Sequence, residues 1–267
     1  ATEDRQNDQN EMLTEQIKTI AIRLSLGSTG VIYPMEMAGG LRTLECPLPV
    51  LADSSSVTQY LAYPSCKSMM MYGEFREPII GPSDHRIVFY GIRHYIDNFI
   101  SRKWSISDVE AAEAFFMTHN YGSTLLEFPK ELFLKFIQEN DGYLPVVIES
   151  VPEGSVLYPR TPAVVVSAEA PYSGLVSYVH SLLGMLWYPC YAATLSRAIK
   201  EGLDKAFQTS VDSDQMGLLE TSVQDAGAAG CCSVEQWVLG GAAHLLSFAS
   251  SASPPACYHA RFHAAAA

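Results

Sequence analysis

Few residues in this chain of 267 have the types and spacing that chemistry needs. His259-Ala-Arg-Phe-His263 would set two imidazoles on one helical face, which is half of a metal site. No third ligand accompanies them, so no metal is expected. Adjacent Cys231 and Cys232 have the atoms for redox chemistry, yet neighbouring cysteines bridge only with strain, and packing is the expected role. His244 lies among small residues and reads as a core histidine rather than a base. Gly27-Ser-Thr-Gly30 has the glycines of a phosphate loop without the Gly-Lys-Ser/Thr that completes one, which makes it a turn. No nucleophile elbow, zinc-protease helix or dinucleotide fingerprint occurs.

Composition narrows the classes further. The chain is 48% hydrophobic and only 17% charged, below the roughly 25% charge of ordinary soluble domains. A surface so short of charge points to protein partners in a large assembly, with a homodimer as the other arrangement. A net charge of −12 excludes the basic footprint that nucleic-acid binding requires. The six cysteines show neither zinc spacing nor the density of a secreted disulfide scaffold, which implies an intracellular, reducing compartment. Ala170 to Ser196 carries no Asp, Glu, Lys or Arg, but its serines, His180 and Pro189 mark a buried helix ending near Pro189, not a membrane span. The first residue is Ala1 and no secretory signal follows it. The expected location is therefore the cytoplasm, or an organelle such as the mitochondrion after removal of a targeting peptide.

Any site must be positioned by the elements around it. Glu11 to Leu26 has helical apolar spacing, and Gly27 to Gly40 is a glycine-rich connector. Val88 to Ile100, Ile106 to Met117 and the stretch from Pro129 to Gln138 are predicted helices, with Asp108 on a solvated face. Leu144 to Ile148, Ser155 to Tyr158 and Ala163 to Ser167 are apolar runs separated by proline and glycine, and predict short antiparallel strands. Helices follow over Tyr172 to Trp187, Tyr191 to Ala206 and Val234 to Phe248, with a strand at Leu219 to Val223. Such alternation predicts an α/β or α+β protein.

Five segments occur in an order and spacing that resemble the nicotinamide phosphoribosyltransferase family: Val88-Phe-Tyr-Gly91, Asp141-Gly-Tyr-Leu-Pro145, Val151-Pro-Glu-Gly154, Trp187-Tyr-Pro189 and the run from Asp225 to Phe248. The resemblance implies transfer of phosphoribose from phosphoribosyl pyrophosphate to a pyridine nitrogen. That reaction uses magnesium and basic groups on the phosphates and aromatic faces around the pyridine ring. Asp53-Ser-Ser-Ser-Val-Thr58 is similar to the family's early segment, but Ser55 replaces its stacking tyrosine and Ser56 its lysine. Arg76, in Glu74-Phe-Arg-Glu77, matches an arginine that reaches the phosphates and is the one retained, vestigial contact. In Asp225-Ala-Gly-Ala-Ala-Gly230, Ala226 replaces the second stacking ring and Ala229 the ribose-phosphate arginine. Ala252 replaces the aspartate that reads the amide. Arg197 matches a packing helix and is expected to be structural.

The implied architecture is α/β: an α+β amino-terminal domain, then the first part of an incomplete phosphoribosyltransferase-type β/α barrel. Residues 1–48 form an extension, 49–186 the amino-terminal domain and 187–267 the partial barrel segment with an irregular tail. With no catalytic residue retained, the expected function is a non-catalytic, structural or assembly subunit without a cofactor. The alternative is a fragment of an active transferase, which would need magnesium.

Overall fold

The computed structural model describes residues 46–63, 65–119 and 127–264, all within one unit, Leu41–Ala267. The expected helix Glu11 to Leu26, the connector Gly27 to Gly40 and Pro64 lie outside them. A one-turn helix α1 (Ser54–Thr58) precedes strand β1 (Ser68–Glu74) and the two-residue strand β2 (Ile87–Val88). Helix α2 (Ile92–Tyr95) runs on through a wider turn, Ile96–Ile100. Then come α3 (Ile106–Phe116), α4 (Lys130–Glu139), β3 (Val147–Ser150), β4 (Val156–Leu157) and β5 (Pro162–Glu169). Four helices close the described chain: α5 (Leu175–Leu183), α6 (Trp187–Ser210), α7 (Val234–His244) and α8 (Pro254–His259).

The architecture is mixed α and β with two small antiparallel sheets, ordered β1-β5-β3 and β2-β4. The three runs predicted as strands are β3, β4 and β5. Central β5 buries Ala163, Val164, Val166 and Ala168, and α5 covers that face with Leu175, Val176, Val179 and Leu182. An aromatic group fills the space behind them. Trp104 meets Phe133, Phe136 and Tyr178 at centroid distances of 5.2–5.3 Å, and the Tyr178 hydroxyl donates to Leu48 O.

Several sequence expectations are corrected. Val88 to Tyr90 is not helical: Ile87–Val88 pairs with β4, and α2 starts only at Ile92. Asp108 lies on the solvated side as expected and also closes a capping box on α3, accepting from the Ser105 N–H at 2.9 Å. The break in the uncharged helical stretch falls at the 3₁₀ turn Gly184–Leu186. Pro189 therefore sits in the first turn of α6, where its absent N–H has no intrahelical partner to lose. The strand expected at Leu219 to Val223 is part of a 3₁₀ run, Ser213–Thr221, in which only Leu219 is buried. A lone strand there would leave its backbone unpaired, whereas a 3₁₀ turn satisfies it locally. Helix α7 ends at His244, short of the expected Phe248.

The resembling motifs meet at Gly91. Its N–H and that of Arg93 both donate to Glu153 Oε1, at 2.8 and 3.2 Å. Gly154 N–H donates to Phe89 O, and Phe89 N–H to Ser155 O. Gly91 has φ of 102°, and a Cβ there would lie 2.6 Å from Pro189 Cγ. Two independent constraints thus require glycine: left-handed backbone, which costs another residue roughly 1–2 kcal/mol, and overpacking against Pro189, about 1–3 kcal/mol more. Gly91→Ala is expected to lower unfolding stability by at least about 2 kcal/mol, measured as a shifted urea midpoint at unchanged slope.

Candidate functional site

The sequence-derived positions fall in two neighbourhoods. The first is a cleft of about 390 Å³ at the end of β1. Tyr72, Glu74, Phe75 and Arg76 form one side, and His180, Leu183 and Trp187 the other, with Phe89 and Ala163 also in its lining. His180 Nε2 lies 3.1 Å from Tyr72 O and ties α5 to the strand. Arg76 is exposed, and it has no carboxylate partner among the described residues. Ser55 lies on α1, which packs on α5; Ser177 Oγ donates to Ser56 O at 3.0 Å. Ser55 itself is exposed and touches no part of the cleft lining by hydrogen bond.

The second neighbourhood holds Ala226, Ala229 and Ala252. Ser253 is buried and donates through Oγ to Asp225 Oδ2 at 2.9 Å, while Trp237 Nε1 donates to Ser253 Oγ at 2.7 Å. These bonds pin the loop after Asp225 to α7 and to the start of α8. A Cβ on Gly241 of α7 would lie 2.7 Å from Asp225 Oδ2, so the carboxylate needs the bare helix surface. Ala226 and Ala252 stand one residue from this network on either side, and Ala229 ends the 3₁₀ turn Gly227–Ala229. All three are exposed. The loop keeps its fastening while its outward positions carry methyl groups.

The other sequence candidates are structural. His244 is buried and stacks on Phe248 at 4.7 Å, with Nδ1 3.2 Å from Ser196 Oγ. Its Nε2 has no partner among the described residues, so the core histidine expected from sequence is bonded on one side of its ring. Cys231 Sγ lies 3.5 Å from the Tyr188 hydroxyl, and all six cysteines are unpaired. The His259 ring faces His94 at 5.7 Å, and His94 Nε2 bonds Glu235 Oε1 at 2.6 Å. The His263 side chain lies outside the described residues. Among the described residues no trio of His, Cys, Asp or Glu is placed to hold a metal, and no helix is long and apolar enough to cross a membrane.

Arg197 is structural, as expected. It bonds Asp84 at 2.6 Å and Glu201 at 2.7 Å, and Arg86 bonds the same two carboxylates at 3.0 and 2.7 Å. Hydrogen bonds from Arg86 and then Arg197 hold the Asp84 carboxyl well below the usual carboxylate range. Burial pushes Glu201 up, but the same two guanidiniums outweigh it and leave its carboxyl lowered.

Sequence reading missed β1, because Met69, Met70 and Met71 hide the alternation of a strand. It also missed the outer face of α6, where Trp187, Tyr191, Leu195 and Ile199 recur every fourth residue and are all exposed. Their spacing was a usable signal, since apolar residues recurring at i, i+4 form one continuous face of a helix.

No protein-family profile matches the chain. Among curated proteins it is 29% identical to a nicotinamide phosphoribosyltransferase of Xanthomonas campestris over 213 residues, 79% of this chain and 43% of that protein. It is 25% identical to the nicotinamide phosphoribosyltransferase of Acinetobacter baylyi over 177 residues, 62% of this chain and 33% of that one. The crystal structure of human nicotinic acid phosphoribosyltransferase superposes with a TM-score of 0.50 at 17% identity, covering 78% of this chain and 37% of the other. The fold thus matches part of a phosphoribosyltransferase. The chain is a distant homologue of the nicotinamide phosphoribosyltransferases, and it spans less than half the length of the curated relatives it matches.

The ion network sets the acid sensitivity. Asp84 has a lowered carboxyl, so its contribution is complete above the ordinary value of about 3.9 and is lost as pH falls through the folded-state value. Wild-type stability, followed by urea unfolding, is expected to decline steadily below about pH 4. Asp84→Asn should be less stable at pH 7 and show a shallower acid decline.

Proposed function

We propose that this chain is a non-catalytic nicotinamide phosphoribosyltransferase-like protein that serves as a structural or assembly subunit, with residues 187–267 corresponding to the opening of the relatives' barrel. One observation carries the proposal: the Asp225 loop is fastened to Ser253 and through Ser253 to Trp237, whereas its exposed neighbours Ala226, Ala229 and Ala252 offer neither ring nor charge. Transition-state stabilisation in phosphoribosyl transfer depends on preorganised charge at the phosphates and leaving group. Methyl groups cannot supply it. Ser55 on α1 likewise offers no aromatic face, and an aromatic contact contributes roughly 0.5–1.5 kcal/mol beyond its buried area.

The assembly half of the proposal is supported by α6. Trp187, Tyr191, Leu195 and Ile199 form an exposed ridge with i, i+4 spacing, the row that packs into the grooves of a second helix. No charged residue interrupts the ridge. An acidic chain that leaves such a face in water gains by covering it with a partner.

A second reading follows from length. Because the chain covers 43% of the Xanthomonas enzyme, an active transferase completed by further polypeptide would share this scaffold, with Arg76 on the phosphates and magnesium as its cofactor. The two readings differ in activity. Incubated with nicotinamide, phosphoribosyl pyrophosphate and magnesium, the chain in the assembly isolated from its source is expected to form nicotinamide mononucleotide at less than about 10⁻³ s⁻¹, against the 1–10³ s⁻¹ of ordinary enzymes. Turnover in the ordinary range would establish the second reading. Native mass spectrometry of the same preparation is expected to find the chain in a heteromeric complex. Leu195→Glu should release it from that complex while changing its own unfolding stability by less than about 0.5 kcal/mol.

A further inference from the structure

Strand β1 is the outer strand of its sheet, and the direction of its backbone groups follows from its neighbours. On β5, Ala163 O accepts from Val151 N–H on the β3 side at 3.0 Å, whereas Ala170 N–H donates to Lys67 O on the β1 side at 2.7 Å. Backbone groups alternate in direction along a strand, so even-numbered residues of β5 face β1. In the observed register Met69 pairs with Ala168 and Met71 with Val166. Met69 and Met71 therefore carry the ladder, and the N–H and C=O groups of Met70 and Tyr72 point away from the sheet. The Tyr72 carbonyl confirms this direction, because it meets His180 from outside. The remaining outward groups of Met70 and Tyr72 have no hydrogen-bond partner among the described residues.

Unprotected edges of this kind are normally blunted by lysine, proline, a bulge or a covering element. Here the bulge comes only at Gly73–Glu74, and the side chains of Met70 and Tyr72, on the exposed face of the sheet beside this edge, are apolar and 65% and 52% exposed. The edge leads directly into the 390 Å³ cleft, whose far wall is the corner from α5 to α6. In this slot between strand edge and helix, Met70 N–H and C=O and Tyr72 N–H are the edge groups that can accept an added strand, which at Tyr72 O would take the place of the His180 ring. At its end Arg76 supplies a cation without a carboxylate partner, while Glu74 in the same lining disfavours a second acid beside it.

We propose that this slot binds an extended peptide segment of a partner protein as a fourth strand on β1, with apolar side chains directed at Phe89 and Leu186 and a single carboxylate at Arg76. This gives the assembly reading a mode of contact and rests on that reading for the existence of a partner.

The test uses the full chain and a random seven-residue peptide library displayed on phage, with selected peptides synthesised in free-acid and amidated forms. Fluorescence anisotropy gives their affinities, and hydrogen exchange reports the β1 amides. Selected peptides are expected to alternate apolar and polar residues and to slow exchange at Met70 and Tyr72. Met70→Pro deletes a donor from the open edge and leaves the β5 ladder intact, as proline permits on an outer strand. It should weaken binding at least tenfold with β5 exchange unchanged. Arg76→Ala, at an exposed side chain, should weaken the carboxylate-bearing form several-fold and the amidated form little, and it decides the matter if Met70→Pro disturbs β5. Failure to select any peptide, or selected peptides that leave β1 exchange unaltered, overturns the proposal. Failure here with the chain still found in a heteromeric complex sinks the slot and spares the assembly reading. Retained peptide binding in a chain that is monomeric in its source does the reverse.

Discussion

The backbone of Ile87 to Gly91 is a buried segment with one neighbouring strand among the described residues, and the arrangement of the whole unit depends on how its other polar groups are satisfied. β4 pairs with Ile87 and Val88. On the opposite side the partners are side chains: Val88 N–H donates to Thr194 Oγ1 at 2.9 Å, and Tyr90 N–H to Cys190 Sγ at 3.3 Å. The Cys190 thiol in turn donates to Tyr90 O. Burial pushes that thiol up to about 12, so it remains a proton donor at neutral pH. Leaving such groups unpaired would cost roughly 1–3 kcal/mol each. Glu153 completes the set at Gly91 and Arg93. Helix α6 is thereby held to the strand through one face, and α7 packs on α6, so the Asp225 loop inherits its position from these bonds.

This explains why the segments that resemble the phosphoribosyltransferases are the ones with contacts inside the unit. Gly91 has a left-handed backbone and no room for a Cβ against Pro189, and Glu153 and Asp225 each hold a hydrogen bond inside the unit. Ser55, Ala226, Ala229 and Ala252 all lie on the exterior, where replacement costs the fold little. Substitution at such places changes stability little. Similarity in sequence therefore reports the scaffold, and the character of the surface has to be read separately.

That surface is unevenly charged. The basic side chains at Arg86, Lys103, Lys130, Lys135, Arg197 and Lys200 are engaged with carboxylates. The outer ridge of α6 and the open edge of β1 have none of these pairs. Trp187 belongs to both the ridge and the cleft, which makes one continuous face from the edge strand along α6.

The sequence by itself determined the mixed α and β class, the three antiparallel strands β3, β4 and β5, the helical stretches and the structural role of Arg197. Those depend on local periodicity, on proline and glycine as punctuation, and on short motifs whose spacing survives in the chain. Only the tertiary structure decided that Ile87–Val88 is a strand and not the start of a helix, because its partners lie on β4 and on α6, over a hundred positions away in the case of Thr194. The same holds for β1, whose methionines have no strand periodicity and whose pairing with β5 joins residues on opposite sides of the elements β2 to β4. The open edge, the cleft and the α6 ridge are properties of what is left uncovered after packing, and no local pattern contains that information.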